Sequence, residues 1–559
     1  MTLRDFVASE LSKLPGSRTL TLHALLSSPQ REQELFPYAQ IPKNHKILSQ
    51  NILLLVSENV DPDTVTAADT TTTPRILCSA LEATLYLFPA TSSSILYIGK
   101  IDTTGFSKVH PSPARTLVRA AIDYFVRPDT RPAECGQRVW VHLFARAQSQ
   151  YLFPDSADWK AKHVLNDAGL VRWWWSVFGD VARDVAETRS GQLESRFRGT
   201  KMWYILPGFS DIEAYHTLSS GSSFKMTQAG ELPWSYGHPY DDPSVSFPLP
   251  GNSVDHTATD HSHTAKVLSI ACLIPTFPDD PKARFLGEIA STTSEADVPP
   301  PAPKTSSKST SPTTPTRKLR SVSSPKSSGS SSHSASNSPS QSPLKKRRRV
   351  DDHSSVANSG SGDAPVISAP NASPSAGIVS PSYAPSTSLP NAPTQPKNTT
   401  YAEPELVRRG RLALSAVSPK EFWERMGFRQ ECALGAVTAF FVAMFEDTEA
   451  SPKPDSKIAN EYIPLPTHTR ITQSLMNHAF STPEKAIRST QLLEASIRAL
   501  SDGVVVAAEQ VETETPSSSF YHTHIYKSLT NNNPPLLPRD HVAQPVPVNM
   551  LQVKRKARR

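Results

Sequence analysis

A chain of 559 residues with 51 prolines and only 37% hydrophobic residues cannot be core throughout, yet it keeps enough apolar sequence for one large core. Its four cysteines, Cys78, Cys135, Cys272 and Cys432, form no Cys-x-x-Cys pair, which excludes a disulfide scaffold and a cysteine-rich zinc module. The net charge of +6 is modest and locally clustered, no apolar run is long enough to span a bilayer, and the N-terminus MTLRDFVASEL is too polar for a signal peptide, so a soluble protein of a reducing compartment is expected.

In chain order, residues 1–40 read as a helix and a loop. Residues 47–57, 76–88 and 95–101 read as strands; a turn at Ser92–Ser94 precedes the third and Asp102 follows it. Ser112 before Pro113 reads as an N-cap with proline at the first helical position, and Leu117, Val118, Ala121, Ile122 and Phe125 share one face of the helix that follows. Residues 139–144 are predicted as a strand leading into 150–156 (QYLFPDS). Asn166 caps a helix with the stripe Leu170, Trp173, Trp174, Val177, Phe178, Val181 and Val185. Residues 196–201 form a basic loop, 232–240 a strand or turn, and the apolar run 267–274 a buried strand.

The composition then changes. Residues 291–400 are Ser, Pro, Thr and Asn with few aromatics, too little apolar area to offset ordering entropy, so a disordered insertion is expected. It divides the domain into a first part, 1–290, and a second part, 401–550, before a basic tail, 551–559. Inside it, Lys345, Lys346, Arg347, Arg348 and Arg349 make a compact basic run of the kind a nuclear import receptor reads; nucleic-acid contact is the alternative, and both imply the nucleus. In the second part, Ser418-Pro419-Lys420-Glu421 is a capping box opening a helix that Gly435 ends, 436–445 is a strand, and Thr482-Pro483 opens a helix to about Gly503.

The chemistry-bearing stretch is 277–285 (FPDDPKARF). Asp279 and Asp280 lie between Pro278 and Pro281, and Lys282 follows. Proline fixes its own φ and restricts the residue before it, so Asp280 is predicted in an extended or turn geometry. Two acids on a stiff turn can place a general base; the bland reading is an ordinary acidic turn. The histidine-rich run 255–263 and the pair His522 and His524 look metal-like, but such loops seldom supply second-shell support, and no metal is expected.

The strings QYLFPDS, 162–175 (KHVLNDAGLVRWWW), FPDDPKARF and 422–431 (FWERMGFRQE) together resemble the fungal histone acetyltransferases of the regulator-of-Ty1-transposition family, which share a fold with the metazoan CBP-type acetyltransferases. The resemblance covers most of 1–290, then about 402–445, and a short piece at 544–550. It implies an α/β fold with a central mixed β-sheet flanked by helices, and acetyl-CoA as donor. It further implies lysines of histone H-three, with its core-histone partner, as acceptors. Histone chaperones of the anti-silencing and nucleosome-assembly-protein types, a nuclear location, and a place in chromatin assembly and genome stability come with it. Direct nucleic-acid binding is not expected to be primary, and no membrane is implied.

Acetyl transfer to lysine needs a neutral amine, a held thioester and a donor for the developing oxyanion. By resemblance, Asp280 is the first choice for the acid/base residue, with Asp279 beside it. Asp102 matches a position linked to activity, Trp174 a tryptophan of the substrate-lysine channel, and Tyr151 a tyrosine near that channel. Lys100 and Ile101 match the strand end beside the thioester arm. Ser112, Ala114 and Arg115 fall in the cofactor-contact loop. Phe144, Gln148, His163, Val164, Leu165 and Trp173 match other cofactor contacts, with Gln148 standing where a small residue is expected. Lys282 matches the lysine that the family acetylates on itself. The bland readings are core for Trp174, a hydrogen-bonded core tyrosine for Tyr151, a turn residue for Asp102 and an ion pair for Lys282. Two rival functions stand beside this one, a catalytically silent histone- or chaperone-binding scaffold and a lysine acetyltransferase for a non-histone nuclear protein.

Overall fold

The computed structural model describes residues 1–60, 73–188, 197–219, 232–242, 244–249, 269–292, 404–429, 437–447, 461–503 and 519–535. The amphipathic N-terminus forms α1 (Leu3–Ser12), capped by the Thr2 hydroxyl, which accepts from the Asp5 N–H. Five strands follow: β1 (Gly16–Ser27), β2 (Gln30–Glu32), β3 (Ile47–Asn59), β4 (Arg75–Phe88) and β5 (Ser93–Thr103). Helix α2 (Ala114–Val126) crosses to β6 (Arg138–Ala145), and α3 (Asp167–Thr188), β7 (Thr200–Ile205), α4 (Asp211–Ser219) and β8 (Trp234–Tyr236) continue the chain. Then come α5 (Ile270–Leu273), α6 (Pro281–Ser291), α7 (Glu405–Ser415), α8 (Pro419–Met426) and β9 (Ala439–Glu446). The described chain closes with β10 (Tyr462–Ile463), α9 (Leu465–Met476), α10 (Pro483–Asp502) and β11 (Tyr526–Asn533).

The strands form one mixed sheet in the order β10-β1-β3-β4-β5-β6-β9-β7-β8, with β11 on β1 and β2 on β3. The α/β class with a central mixed sheet flanked by helices is what the structure shows. A strand from beyond residue 403, β9, lies between β6 and β7, so described segments on both sides of 293–403 build the same sheet. The β5–β6 pair is parallel, and a parallel pair needs a crossover, here α2.

Side-chain alternation sorts the two faces. Along β6, Val139, Val141, Leu143 and Ala145 join a core with Leu117, Phe125, Val177 and Phe178 from α2 and α3. Trp140, His142 and Phe144 take the other face, against Phe277 and Phe440. The predicted α2 face is buried at Leu117, Val118, Ala121, Ile122 and Phe125; of the α3 stripe, Trp174, Val177, Phe178, Val181 and Val185 are buried, whereas Leu170 and Trp173 are half-buried. Each large side chain removed from water in this way is worth about 1.5–3 kcal/mol. Asn166 caps α3, its side-chain Oδ1 accepting from the Gly169 N–H at 2.8 Å; Ser418 caps α8 and Thr482 caps α10.

Several expectations change. Residues 16–27, expected as loop, are β1, buried along most of its length. The run 267–274 yields the short helix α5, capped by Ser269, instead of a strand. The turn at Ser92–Ser94 shrinks to Ser92, left-handed at φ 49°, because Ser93 already opens β5. Helix α8 ends at Met426, with Gly427 as its C-cap, well before Gly435. The basic run 345–349, the tail 551–559, the histidine-rich run 255–263 and the stretch 544–550 lie outside the described residues, as does the insertion beyond Thr292.

Candidate active site

The β5–β6 pair hydrogen-bonds from Ser93↔Arg138 to Ile98↔Leu143 and then parts. Crevices beyond the carboxyl ends of parallel strands are where open α/β sheets take ligands. A cavity of about 540 Å³ opens here, within the 300–1,000 Å³ range of small-molecule sites. Ile101 from β5, Ser112, Ala114 and Arg115 at the start of α2, and Gln148 and Tyr151 after β6 line it. His163, Val164 and Leu165 form another wall, and Trp173 of α3 a third.

A bulge decides which side chains reach which side. Glu82 pairs with Lys100 and Ala83 with Ile98, so Gly99 is an extra residue in β5. After it, Ile101 faces the α2 side with Ile98, while Lys100 turns to the opposite side with Tyr97. The glycine inside the strand-like string ILYIGKI is a sequence signal for this bulge.

Asp102, at the end of β5, is saturated with donors. Its Oδ2 accepts from the N–H groups of Tyr151, Leu152 and Phe153 at 2.7, 2.9 and 3.1 Å. Its Oδ1 accepts from the Thr103 N–H at 2.8 Å and from the Lys162 ammonium at 2.9 Å. A carboxylate so engaged has no free lone pair aimed at a substrate. It holds the QYLFPDS loop onto the strand end. The Tyr151 hydroxyl donates to the Arg146 carbonyl, and burial pushes its phenol up to about 12, so it stays protonated at neutral pH.

On the other side of β5 lies the acidic turn. Asp280 is extended, as predicted, and caps α6: its Oδ1 accepts from the Lys282 N–H at 2.8 Å. Its Oδ2 pairs with the Lys282 ammonium, and both side chains are buried. The ammonium sits over the Phe440 ring, 4.6 Å from its centroid, and faces Phe277 at 5.6 Å. Asp279 adopts a left-handed φ of 60° and swings out, its side chain 76% exposed, to pair with Lys100 at 3.2 Å. Asp tolerates this backbone region better than most residues. Lys100 also reaches Glu82 at 3.5 Å. Tyr97 stacks on Phe277 at 4.2 Å and donates to the Pro278 carbonyl at 3.1 Å, which fixes the turn from beneath. Burial, followed by the nearby carboxylates, raises the Tyr97 phenol; burial, followed by the Lys282 charge, holds the His142 imidazole well below its usual value and neutral.

The remaining expected residues divide. Lys100 and Phe144 lie away from the cavity, Lys100 on the acidic turn and Phe144 stacked on Phe440 at 4.7 Å. Trp174 is buried in the core beside Trp173 and Phe178 and does not line the cavity. Ser112 does not cap α2: Pro113 occupies that position, and the Ser112 hydroxyl is buried without a hydrogen-bond partner among the described residues. Arg115 reaches the cavity with its guanidinium held by Ser176, at 2.8 Å, and Asp180. Cys78, Gly105 and Lys162 also line the cavity and were not anticipated; the positive φ of Gly105, +81°, fits a glycine that follows an acid and two threonines. Among the described residues no cluster of histidine, cysteine and carboxylate side chains could hold a metal ion.

Residues 127–311 and 372–496, more than half of the chain, match the sequence profile of the histone acetyltransferase KAT11-type domain. The chain belongs to this family. It is similar to the histone acetyltransferase rtt109 of Aspergillus flavus, at 29% identity over 49% of this chain and 45% of that protein. It is also similar to the protein of the same name from Schizosaccharomyces pombe, at 26% identity over 36% of this chain and 45% of that one. The matched part thus spans about half the length of each relative. The crystal structure of Rtt109 from Aspergillus fumigatus superposes with a TM-score of 0.53 at 18% identity, covering 96% of this chain and all of that one, a likeness of fold. The KAT11-type match takes in β6, the cavity wall at 163–165, α3 and the acidic turn.

Proposed function

We propose that this chain transfers the acetyl group of acetyl-CoA to lysine side chains of histones. The observation that carries the reading is the cavity at the β5–β6 split. Every residue expected to touch the donor lines it except Lys100 and Phe144, and the Asp279–Asp280 turn packs on the opposite side of β5, against Lys100 and Tyr97. The cavity suits the donor chemically. Ile101, Leu170 and Trp173 offer apolar walls to a pantetheine arm. The N-terminus of the 13-residue α2, with no side-chain cap and with the unpaired Ser112 hydroxyl beside it, suits phosphate oxygens.

Acetyl-CoA supplies an acyl group on a good leaving group. The protein's work is to hold the acceptor amine and take its proton. Asp280 is the base in this reading: as the amine nitrogen bonds to the acyl carbon and the C–S bond breaks, the amine proton passes to its carboxylate. Asp280 is occupied by the Lys282 ammonium. Acetylation of Lys282 on itself removes that charge and frees the carboxylate. Trp173 and Tyr151 narrow the cavity and keep water out; Asp102 acts by holding Tyr151 in place.

The finer reading follows the resemblance: lysines of histone H-three, presented with its core-histone partner by chaperones of the anti-silencing or nucleosome-assembly-protein type, in the nucleus. Purified protein, labelled acetyl-CoA and histone H-three, with and without each chaperone, test it. Label in H-three that depends on a chaperone is the expected result. Bound CoA with no label on any histone would favour the scaffold reading.

A further inference from the structure

We infer that Lys162 is a positioning residue, whose buried ammonium, locked on Asp102, fixes the cavity wall that receives the acyl-CoA. The inference rests on the reading of that cavity given above. Lys162 is not part of the proposed chemistry, yet its side chain and that of Asp102 are each only 4% exposed. The ammonium donates to Asp102 Oδ1 at 2.9 Å and to Ser156 Oγ at 2.8 Å. The Ser156 hydroxyl itself donates to the Phe153 carbonyl at 2.6 Å. One carboxylate and one ammonium therefore tie together the end of β5, the 151–156 loop and the 159–165 loop.

The neighbours on either side of Lys162 show what this holds. Ala161 and His163 are exposed, and Val164 is 43% exposed. Yet His163, Val164 and Leu165 line the cavity. A loop with so little of its own buried has small intrinsic stability, and the buried ammonium is its anchor. The fit behind that anchor is close. Gly105 has φ +81°, and a Cβ there would stand 2.6 Å from Lys162 Cα. Trp159 Nε1 donates to the Gly105 carbonyl at 3.3 Å, and the Lys162 N–H donates to the Trp159 carbonyl at 2.9 Å. A buried ion pair is seldom a net source of stability against an apolar pair of the same volume. Its directional hydrogen bonds do set the loop's register, which apolar contact would not.

The structure makes the two partners unequal. Removing the ammonium leaves Asp102 with four backbone N–H donors, from Thr103, Tyr151, Leu152 and Phe153. Lys162→Met is therefore expected to fold, with the wall loosened. The wall must then be ordered by the ligand. That raises the CoA Kd and the acetyl-CoA KM by about tenfold, the cost of ordering a few side chains on binding, with kcat at saturation within about twofold. Lys162→Arg keeps a charge and two donors and is expected to recover most of the loss.

The experiment is calorimetric titration of CoA, with steady-state kinetics alongside, on wild type, Lys162→Met, Lys162→Arg and Ser156→Ala. A wild type that binds no CoA overturns the cavity reading itself. Wild-type binding with unchanged Kd and KM in Lys162→Met overturns the inference and leaves the cavity reading standing. A fall in kcat with KM unmoved also overturns it, since Lys162 would then act in the chemistry. If Lys162→Met does not fold, Ser156→Ala decides: it removes one of the two acceptors, and an unchanged Kd there overturns the inference.

Discussion

Replacing Asp280 by asparagine tests the proposed base, and the structure says the single substitution will not be silent for stability. The Asp280 carboxylate is buried against the Lys282 ammonium, with side-chain exposures of 0% and 4%. The sequence alone suggests a substitution that leaves folding intact. The pairing contradicts that, because a neutral asparagine leaves the ammonium buried without its anion. Breaking a buried pair from one side costs about 3–5 kcal/mol, whereas removing both charges together is often near neutral. The Phe440 ring, 4.6 Å from the ammonium, offsets part of that cost, by about 2 kcal/mol at a desolvated site. Asp280→Asn is therefore expected to lose about 1–3 kcal/mol, and Asp280→Asn with Lys282→Gln to regain most of it. Turnover behaves differently. Loss of a general base costs about a hundredfold or more, and the double variant does not restore it. Urea unfolding of the three proteins with Lys282 unacetylated, and labelled-acetyl assays on each, separate the terms. A double variant with near-wild-type turnover refutes the base assignment; a single variant with unchanged stability refutes the buried pair.

Lys282 in protein made with its own activity is expected to carry an acetyl group and to lack it in the Asp280→Asn form, read by mass spectrometry of the peptide; a fully active enzyme with unmodified Lys282 contradicts this. Gly105→Ala forces a side chain into a left-handed position against Lys162 and is expected to cost about 1–2 kcal/mol or more, together with weaker CoA binding, in thermal melts and titrations. Burial, then the Arg75 charge, pushes the His23 imidazole down to about 3, and burial pushes His468 down to about 4. Below the unfolded value of about 6.5 the unfolded chain takes up protons that these buried rings refuse, so their stability contribution is full above that pH and is lost as pH falls toward the folded values. At pH 5 each ring costs about 2 kcal/mol. His23→Phe is expected to shrink the loss between pH 7.5 and 5 by that amount in urea unfolding, and an unchanged acid slope contradicts the burial argument.

The long strands and the α2 and α3 stripes were legible because their alternation or 3.6-residue period is strong. Strand β1 was not: its second half is buried at every position, so the period-two signal is erased, and its Ala24-Leu25-Leu26 run favours helix as readily. The run 267–274 failed for the same reason, since a short apolar run does not separate a buried helix from a strand. At the site, Asp280 was legible from its prolines, which hold it extended at the head of α6. The role of Asp102 was not, because its donors come from residues 151–153 and 162, about fifty and sixty positions away. Lys100 and Phe144 were expected at the donor, but the bulge at Gly99 and the alternation of β6 turn them to the opposite side of the sheet.

The central claim, that the β5–β6 split is an acyl-CoA site, is tested most directly by filling it. Ala147 lines the cavity from the loop after β6, outside the core, so Ala147→Trp adds an indole there without disturbing a packed element. Titration of acetyl-CoA into wild type and Ala147→Trp, with thermal melts on both, is the measurement. Saturable binding by wild type, lost in a variant of unchanged melting temperature, is the expected result. No binding by wild type, or binding that the indole leaves untouched, would contradict the account.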